Sequence, residues 1–299
     1  MTARTIVLTG ATGYVGGALL PRLLEAGHHV RALVRDKGSA AEKLPPEVTL
    51  VQGDVLTGEG LDEAADGADV AYYLVHSMGG GGDKDFAETD RKAARTFGEA
   101  MARHDVGRTI YLGGLEGDPD ADSEHLRSRA EVAEVLQETA PRAIHVRAAM
   151  VIGEGSASFL MLRGLVERLP VMITPRWLDT RSQPVAIKDV TRTLAALATH
   201  DDPPVEVQLG GADVLTYRDM IGRFARVTGR REPLLVKVPF FTPRLSSYWV
   251  ALVTPVELGL VQPLVEGLNA ETVVRTPPPS GLNDHPLGFD DAVRAALAG

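Results

Sequence analysis

The sequence predicts an α/β protein in which a doubly wound parallel sheet carries helices on both faces. Two observations predict this fold. Short apolar runs alternate with helix-compatible segments through the first half of the chain, and the glycine-rich stretch TGATGYVGG joins the first run to the first helix. A strand, a helix and a further strand pack as a parallel pair with a right-handed crossover. With 299 residues, 44% of them hydrophobic, the chain can bury an ample core.

The first half of the chain contains six candidate strands and four candidate helices in alternation. The strands are predicted at Thr5–Thr9, His29–Val34, Thr49–Gly53, Val70–Val75, Arg108–Leu112 and Ala143–Arg147. The helices are predicted at Tyr14–Ala26, Leu61–Ala65, Asp83–His104 and Ser123–Glu138. Pro21 falls inside the first helix pattern, where it conflicts with helix geometry and could cause a kink.

The alternation weakens after Ile152, and a second region is predicted there. Helices are expected at Ser158–Arg168, Asp189–Ala198 and Tyr217–Thr228, and the strand Glu206–Leu209 could rejoin the main sheet. The segment Phe240–Leu268 is strongly apolar, but three prolines divide it into pieces too short to cross a bilayer. We therefore predict a core at residues 1–155 and, at residues 156–299, a smaller region that partly returns to the core sheet.

Composition excludes several classes of function. The formal net charge of −9 disfavours nucleic-acid binding, which needs a basic surface. The absence of cysteine excludes disulfides, thiolate nucleophiles and cysteine metal sites, and the histidines show no ligand spacing with acids, so no metal site is predicted. No apolar run is long enough to form a transmembrane segment, and the N-terminus shows no signal-peptide pattern, so a cytoplasmic location is expected.

The glycine-rich stretch has the spacing TGxxGxxG between a predicted strand and a predicted helix. In that context Gly10 permits the tight turn, Gly13 lets the backbone approach a pyrophosphate, and Gly16 lets the helix pack closely. The N–H groups and positive dipole at the start of the helix favour phosphate binding. A glycine turn without ligand is the alternative. The predicted cofactor-binding residues of this stretch are Gly10, Thr12, Gly13, Tyr14, Val15 and Gly16. Together with the strand pattern, the motif predicts a Rossmann-type dinucleotide-binding fold.

The ends of the second and third strands indicate which dinucleotide is bound. NAD-specific sites usually place an acid on the ribose hydroxyls, but Val34 stands at that position and Arg35 follows it. A guanidinium at Arg35 can hold a 2′-phosphate, so NADP(H) is preferred, although Asp36 could serve NAD(H) instead. After the third strand, Asp54 and Val55 could contact the adenine; Asp54 could equally be a turn or capping residue.

The motifs TGATGYVGG, LVRD, QGDV and YYLVHSMGG, in this order, resemble the short-chain dehydrogenase/reductase superfamily, and most closely its atypical, extended-like branch of NAD(P)-binding proteins. The resemblance continues through RAAMVIGEGSASF, QPVAIKDV and VQLGGADVLTYRDM, and it does not place the chain from Phe240 onward. The segments YYLVHSMG, YLGGL and HLRSRAEV are similar to a bacterial subgroup of that branch that lacks the catalytic serine, tyrosine and lysine.

The resemblance implies an active site at the ends of the fourth and fifth strands and on the next helix. Val75, His76 and Ser77 match the nicotinamide side of the site, and Gly113 and Gly114 match the region of the catalytic serine. His125 and Arg129 match the tyrosine and the lysine of Y-x-x-x-K, so the spacing is kept while the side chains differ.

Three residues are the candidates for catalysis. His125 could be the general acid, Arg129 could hold the nicotinamide ribose, and His76 could line the ligand at the carboxyl edge of the sheet. The alternatives are a surface or capping role for His125, an ion-paired Arg129 on a solvated helix, and a structural His76. Gly113 and Val75 are expected on the cofactor side.

The second region is expected to cover the substrate. As a group, its large apolar residues would favour a small apolar substrate, such as a quinone, an enone or another carbonyl compound, although a place in the core is favoured for any one of them taken singly. These residues are Met161, Met172, Trp177, Phe240, Phe241, Tyr248 and Trp249, and Arg163, Arg176 and Arg181 could anchor an anionic group. Phe240–Leu268 could instead form a homodimer face or a membrane-surface patch.

Two functions follow from these observations. The first is an NADP(H)-dependent oxidoreductase with a non-standard active site, which the apolar second region favours. The second is a non-catalytic NAD(P)-binding redox sensor or assembly factor, which the replaced serine, tyrosine and lysine favour. We expect the oxidoreductase, by a small margin.

Overall fold

Seven parallel strands form the central sheet of the computed structural model, which describes residues 2–75, 83–115, 124–174, 176–237, 265 and 267–298. The described ranges contain thirteen strands, seven of which form this sheet: β1 (Thr5–Thr9), β2 (His29–Val34), β3 (Thr49–Gln52), β4 (Val70–Tyr73), β5 (Arg108–Gly114), β6 (Ala143–Ala148), β7 (Val151–Ile152), β8 (Val171–Thr174), β9 (Arg181–Ser182), β10 (Val185–Ala186), β11 (Glu206–Leu209), β12 (Leu215–Thr216) and β13 (Leu234–Lys237). The sheet order is β11-β6-β5-β4-β1-β2-β3, and the predicted strand at Glu206–Leu209 joins the sheet as its edge.

Helices cover both faces of this sheet, as predicted. The helices whose bounds the structure describes, in the sheet layers and in the second region, are α1 (Tyr14–Glu25), α2 (Lys37–Ala41), α3 (Leu61–Ala65), α4 (Asp83–Arg103), α5 (Glu124–Thr139), α6 (Ala157–Arg168), α7 (Ile187–Leu197), α8 (Tyr217–Val227) and α9 (Phe289–Ala298), with a 3-10 helix at Arg176–Asp179. The remaining strands form three two-stranded pairs, β7 with β10, β8 with β13 and β9 with β12. The prediction of a doubly wound α/β fold is therefore confirmed.

The strand order places a ligand crevice at the carboxyl ends of β1 and β4. The chain leaves β1 toward β2 on one side and later returns to β4 on the other side. In open parallel sheets the crevice forms at this point, because the connections diverge there. The Thr9 hydroxyl ties the two strands together, since it donates to the Tyr72 carbonyl at 3.0 Å and accepts from the Leu74 N–H at 3.1 Å.

Several element boundaries differ from the sequence prediction. β4 ends at Tyr73 rather than at Val75, and β5 continues to Gly114 rather than ending at Leu112. The short helix α2 was not predicted from the sequence. Helix α1 continues through Pro21, which is exposed.

Apolar cores lie on both faces of the sheet, and a separate one lies in the second region. Ile6, Leu8 and Leu19 belong to the core on one face, and Tyr73 and Phe97 belong to the core on the other face. The third core contains the residues Phe159, Met161, Met172, Trp177, Tyr217, Phe224 and Phe289. The division at residue 155 stays a prediction, since β11 and α7 belong to the sheet although they follow that residue.

Candidate functional site

The turn between β1 and α1 depends on the absence of side chains at two glycines. Gly10 adopts a φ of +72°, and a Cβ there would lie 2.7 Å from the Leu74 carbonyl oxygen. A Cβ at Gly16 would lie 2.1 Å from the Gly10 carbonyl oxygen. Both positions exclude a larger residue, because real Cβ atoms do not approach backbone oxygens this closely. Gly16 therefore lets α1 begin directly against the turn.

The first turn of α1 leaves its backbone donors available to a ligand. Gly13 occupies the N-cap with extended backbone, so no side chain caps the helix. Its N–H donates to the Gly10 carbonyl at 2.9 Å, which holds the turn closed. Thr12 and Gly13 are exposed, and Tyr14 and Val15 are half-buried. Uncapped N–H groups and the positive end of a helix dipole suit a phosphate, so this turn fits a dinucleotide.

Tyr14 connects the turn to the second region. Its hydroxyl is buried beside Gly153, where a Cβ would come 2.0 Å from the Tyr14 oxygen. Burial and the neighbouring Glu154 carboxylate raise the pKa of Tyr14 to about 12. A cavity of about 130 Å³ adjoins it, between α1, the start of α7 and α9. Tyr14 is therefore un-ionised at neutral pH and packs the turn against Gly153.

Arg35 and Asp36 follow β2 with different surroundings. The Asp36 carboxylate accepts a 2.9 Å hydrogen bond from the Ser39 N–H and so caps α2. The Arg35 side chain is exposed and has no hydrogen bond or ion pair within the described part of the chain. Val34, which stands where an NAD-specific acid would be expected, is buried. The geometry leaves the Arg35 guanidinium free to meet a ligand at this strand end.

Asp54, Val55 and Val75 lie at the same edge of the sheet. The Asp54 carboxylate accepts a 2.7 Å hydrogen bond from the Leu56 N–H, which is the turn role considered from the sequence. Val55 and Val75 are half-buried against the core on the α3–α4 face. All three can border an adenine or a nicotinamide while also serving the fold.

A buried histidine stands beside the glycine pair at the end of β5. The His145 ring stacks on Tyr111, its partner in register on β5, with 5.2 Å between ring centroids. A Cβ at Gly113 would lie only 2.4 Å from His145 Nε2, so Gly113 is required by this imidazole. His145 was not among the residues predicted from the sequence. A polar residue at a buried position of a mainly apolar strand is the signal that could have found it.

Burial, two guanidinium groups and one carboxylate set the charge state of His145. Burial and the nearby guanidinium groups of Arg147 and Arg129 lower the pKa of His145 to about 4, and the Glu206 carboxylate offsets part of this effect. Arg147 pairs with Glu206 at 3.2 Å across β6 and β11. The Tyr111 hydroxyl donates to the Arg129 carbonyl at 3.3 Å. The structure thus brings the predicted Arg129 and Gly113 into one cluster with a neutral imidazole.

Several predicted residues lie outside the described residues. These are His76, Ser77 and most of Phe240–Leu268, and of His125 only the backbone in α5 is described. Glu131, two residues after Arg129 on α5, pairs with Arg91 on α4. No group of side chains able to hold a metal is found within the described ranges.

The described apolar residues of the second region fill its core, whereas they were predicted to line the substrate site. Met161, Met172 and Trp177 are each no more than 5% exposed and belong to the third core. Arg163 pairs with Glu167 at 3.2 Å, and Arg181 pairs with Glu271. The three apolar residues therefore belong to the core, which was the alternative for them, and both arginines are engaged with carboxylates of the second region.

The sequence matches one family model and resembles known reductases. Residues 10–155 match the family model described as NAD(P)H-binding. A ceramide reductase from Caulobacter vibrioides is 27% identical over 264 residues, which cover 85% of this chain and 81% of that reductase. The 40 kDa subunit of the mitochondrial NADH-ubiquinone oxidoreductase of Neurospora crassa is 23% identical over 206 residues, which cover 68% of this chain and 54% of that subunit.

A solved structure shares the fold over nearly the whole chain. The triphenylmethane reductase of Citrobacter sp., in complex with NADP(H), gives a TM-score of 0.75 at 16% identity and covers 98% of this chain and 100% of that one. The comparisons confirm the predicted resemblance to NAD(P)-binding short-chain dehydrogenases/reductases. No helix in the described ranges is both long and apolar enough for a membrane span.

Proposed function

Because residues 10–155 match the family model described as NAD(P)H-binding, we propose that the protein is an NADP(H)-dependent oxidoreductase that reduces a hydrophobic carbonyl compound, an enone or a quinone. The observation that carries this proposal is the uncapped turn at Gly10–Gly16, which lies at the crevice between β1 and β4. A phosphate at this turn would meet free backbone N–H groups and the positive helix dipole.

The preference for NADP(H) over NAD(H) rests on the end of β2. The Asp36 carboxylate already accepts the capping hydrogen bond from Ser39, so it is engaged away from a ribose. Arg35 keeps its exposed guanidinium for a 2′-phosphate, which it can bind through two parallel hydrogen bonds. A buried valine precedes it, so no carboxylate at that position would repel the phosphate.

The chain's own residues then have three tasks in the reduction. A bound reduced dinucleotide would supply the hydride for the carbonyl carbon of the substrate. We assign to Arg129 the positive charge that holds the ribose beside the end of β5. His125, one helical turn before Arg129 on α5, would give a proton to the substrate oxygen and become neutral imidazole. Solvent would then return the proton to His125.

The proposed substrate class is supported by the relatives rather than by a lined pocket. One relative in sequence is named a ceramide reductase, and one relative in structure is named a triphenylmethane reductase. Both substrates are large and mainly apolar. The described apolar residues of the second region lie in its own core. They therefore give no independent support for an apolar substrate.

Calorimetric titration with NADPH, NADP⁺, NADH and NAD⁺ tests the cofactor. We expect tight binding of NADPH and NADP⁺ to the wild type and a loss of about 10- to 100-fold with Arg35→Gln, since one charged hydrogen-bonding pair disappears. Lys43→Gln removes the same charge from an exposed position beyond α2 and should leave the affinity unchanged. Equal affinity of Arg35→Gln and Lys43→Gln for NADPH would refute the role of Arg35.

Turnover is tested by NADPH oxidation with three probes: menadione, 2-decanone and 4-phenyl-3-buten-2-one. Reduction of at least one probe is expected. His125→Ala should then slow turnover by about tenfold or more, because a general acid contributes at least that much. Lack of turnover with all three, together with tight NADPH binding, would refute the oxidoreductase.

That last result would favour a second candidate, a non-catalytic NAD(P)-binding sensor or assembly factor. One observation favours it specifically. The Neurospora crassa relative is a subunit of a larger NADH-ubiquinone oxidoreductase. The test is the quantity of this chain that co-purifies in a larger complex, with and without NADPH. A chain that elutes alone under both conditions would refute it.

A further inference from the structure

A buried nitrogen beside the end of β5 has no hydrogen-bond partner in the described part of the chain. His145 is 6% exposed, and its Nε2 has no hydrogen-bond partner among the residues that the structure describes. A buried polar atom without a partner costs about 1–3 kcal/mol, so a folded protein rarely keeps one without a reason. The imidazole does gain from stacking on Tyr111, but an apolar ring would gain as much there.

The position of Nε2 shows where its partner would come from. The atom lies 2.4 Å from the place that a Cβ on Gly113 would take. It therefore lies over the last residues of β5, where the glycine leaves room for it. The carboxyl ends of β1, β4 and β5 share one edge of the sheet, and the glycine-rich turn lies at that edge. Ligands of open parallel sheets bind there.

The surroundings keep the imidazole neutral. A protonated His145 would face the guanidinium groups of Arg147 and Arg129, and Glu206 is engaged with Arg147. A neutral imidazole with hydrogen on Nε2 is a hydrogen-bond donor that does not readily give up its proton. A carbonyl oxygen can only accept, so it pairs with this tautomer and with no other.

We propose that His145 is the residue that binds the oxygen of the carbonyl substrate, through a hydrogen bond donated by Nε2–H over Gly113. This inference rests on the proposed oxidoreductase and names the residue that orients and polarises its substrate. No proton leaves His145 in the step. The hydride adds to the carbonyl carbon, the negative charge on the oxygen is stabilised by Nε2–H, and the proton comes from His125 as proposed above.

Two substitutions at residue 145 separate hydrogen bonding from packing. His145→Gln keeps an N–H donor near the position of Nε2, whereas His145→Leu is similar in size and has none. Both lose the stacking on Tyr111, so each controls for the other. We expect His145→Leu to lower kcat for the reduced probe by about 10- to 100-fold, with unchanged affinity for NADPH, and His145→Gln to lose less than about tenfold. Equal rates for the two variants would overturn the inference.

A spectroscopic measurement gives a second test, which observes the Nε2 hydrogen directly. Long-range ¹H–¹⁵N spectra of ¹⁵N-histidine-labelled protein, assigned by comparison with His145→Gln, report which nitrogen carries hydrogen. We expect a neutral Nε2–H tautomer at pH 7, and a shift of its signals when 2-decanone is added to the NADP⁺ complex. A bare Nε2 overturns the inference whatever the kinetics show. An Nε2–H signal that ignores 2-decanone in a protein that reduces it also overturns the inference. A protein that reduces no probe refutes the oxidoreductase, and with it the carbonyl oxygen that His145 is proposed to bind, even if Nε2 carries hydrogen.

Discussion

Gly16→Ala should damage the dinucleotide site, whereas the same change at the next residue should not. The added Cβ at Gly16 would lie 2.1 Å from the Gly10 oxygen and 2.8 Å from the Gly10 carbonyl carbon. These are backbone atoms, so no side-chain rotation relieves the overlap. At Gly17, which is exposed on α1, the nearest atom to an added Cβ is the Ala11 oxygen at 3.7 Å, an ordinary contact.

Gly16→Ala and Gly17→Ala are expected to change the free energy of unfolding in opposite directions. Relief of the overlap at Gly16 requires the turn and the start of α1 to separate by about 1 Å, and overpacking of this kind costs about 1–3 kcal/mol. Alanine is a better helix former than glycine by about 0.8–1.0 kcal/mol, so Gly17→Ala should stabilise the protein by about that amount. The separation also moves Gly13, whose N–H is bonded to the Gly10 carbonyl. Gly16→Ala should therefore weaken NADPH binding as well.

Urea unfolding and NADPH calorimetry on both variants measure this pair of effects. We expect Gly16→Ala to unfold at lower urea than the wild type and to bind NADPH at least about tenfold more weakly. Gly17→Ala should unfold at higher urea and keep wild-type affinity. If Gly16→Ala matched Gly17→Ala in both measurements, the turn would not pack as described, and the assignment of the phosphate site to it would fail.

Three further outcomes follow from buried contacts. Gly113→Ala should destabilise the protein by about 1–3 kcal/mol in urea unfolding, because its Cβ displaces the His145 ring, and His145→Ala should remove most of that cost. Since the pKa of His145 is about 4 in the folded protein, below the ordinary value of 6.5, the unfolded chain binds the extra proton between these values. The free energy of unfolding of the wild type should therefore fall by up to about 3 kcal/mol as the pH drops from 6.5 to 4. The His145→Gln variant should show a smaller fall over the same pH range. Tyr72→Phe should cost about 1–2 kcal/mol in urea unfolding with no change in NADPH affinity, because its hydroxyl donates a 2.7 Å hydrogen bond to the Leu194 carbonyl inside the core.

The parts of the fold that could be predicted are those that local sequence determines. Thr5–Thr9 and His29–Val34 match the observed strands because each is an apolar run with a polar or glycine boundary. The turn was predictable because three glycines at fixed spacing have few structural explanations. Helix α2 escaped prediction, since it has five residues and no apolar period, and only the Asp36 cap indicates it.

The part of the candidate site that was not predicted from the sequence depends on the register between two strands. Nothing in the sequence places His145 opposite Tyr111, or its ring above Gly113, because β5 and β6 are separated by the whole of α5. Residues such as Trp177 misled the prediction for a related reason. A large apolar side chain looks the same in sequence whether it lines a cavity or fills a core, and the choice depends on packing with Tyr217.

In the structure, Gly113 no longer favours a binding module over an enzyme. Its lack of a hydroxyl favoured binding without chemistry, but that argument assumed that no other polar group occupies the place. In the structure His145 Nε2 lies within 2.4 Å of where its Cβ would be. What remains against catalysis is the absence of the tyrosine and the lysine, whose places His125 and Arg129 take. If both histidines act on one substrate oxygen, the rate lost by the double variant His125→Ala/His145→Leu should be smaller than the product of the single losses. Losses that multiply would mean that the two residues act independently, and the proposed shared oxygen would have to be abandoned.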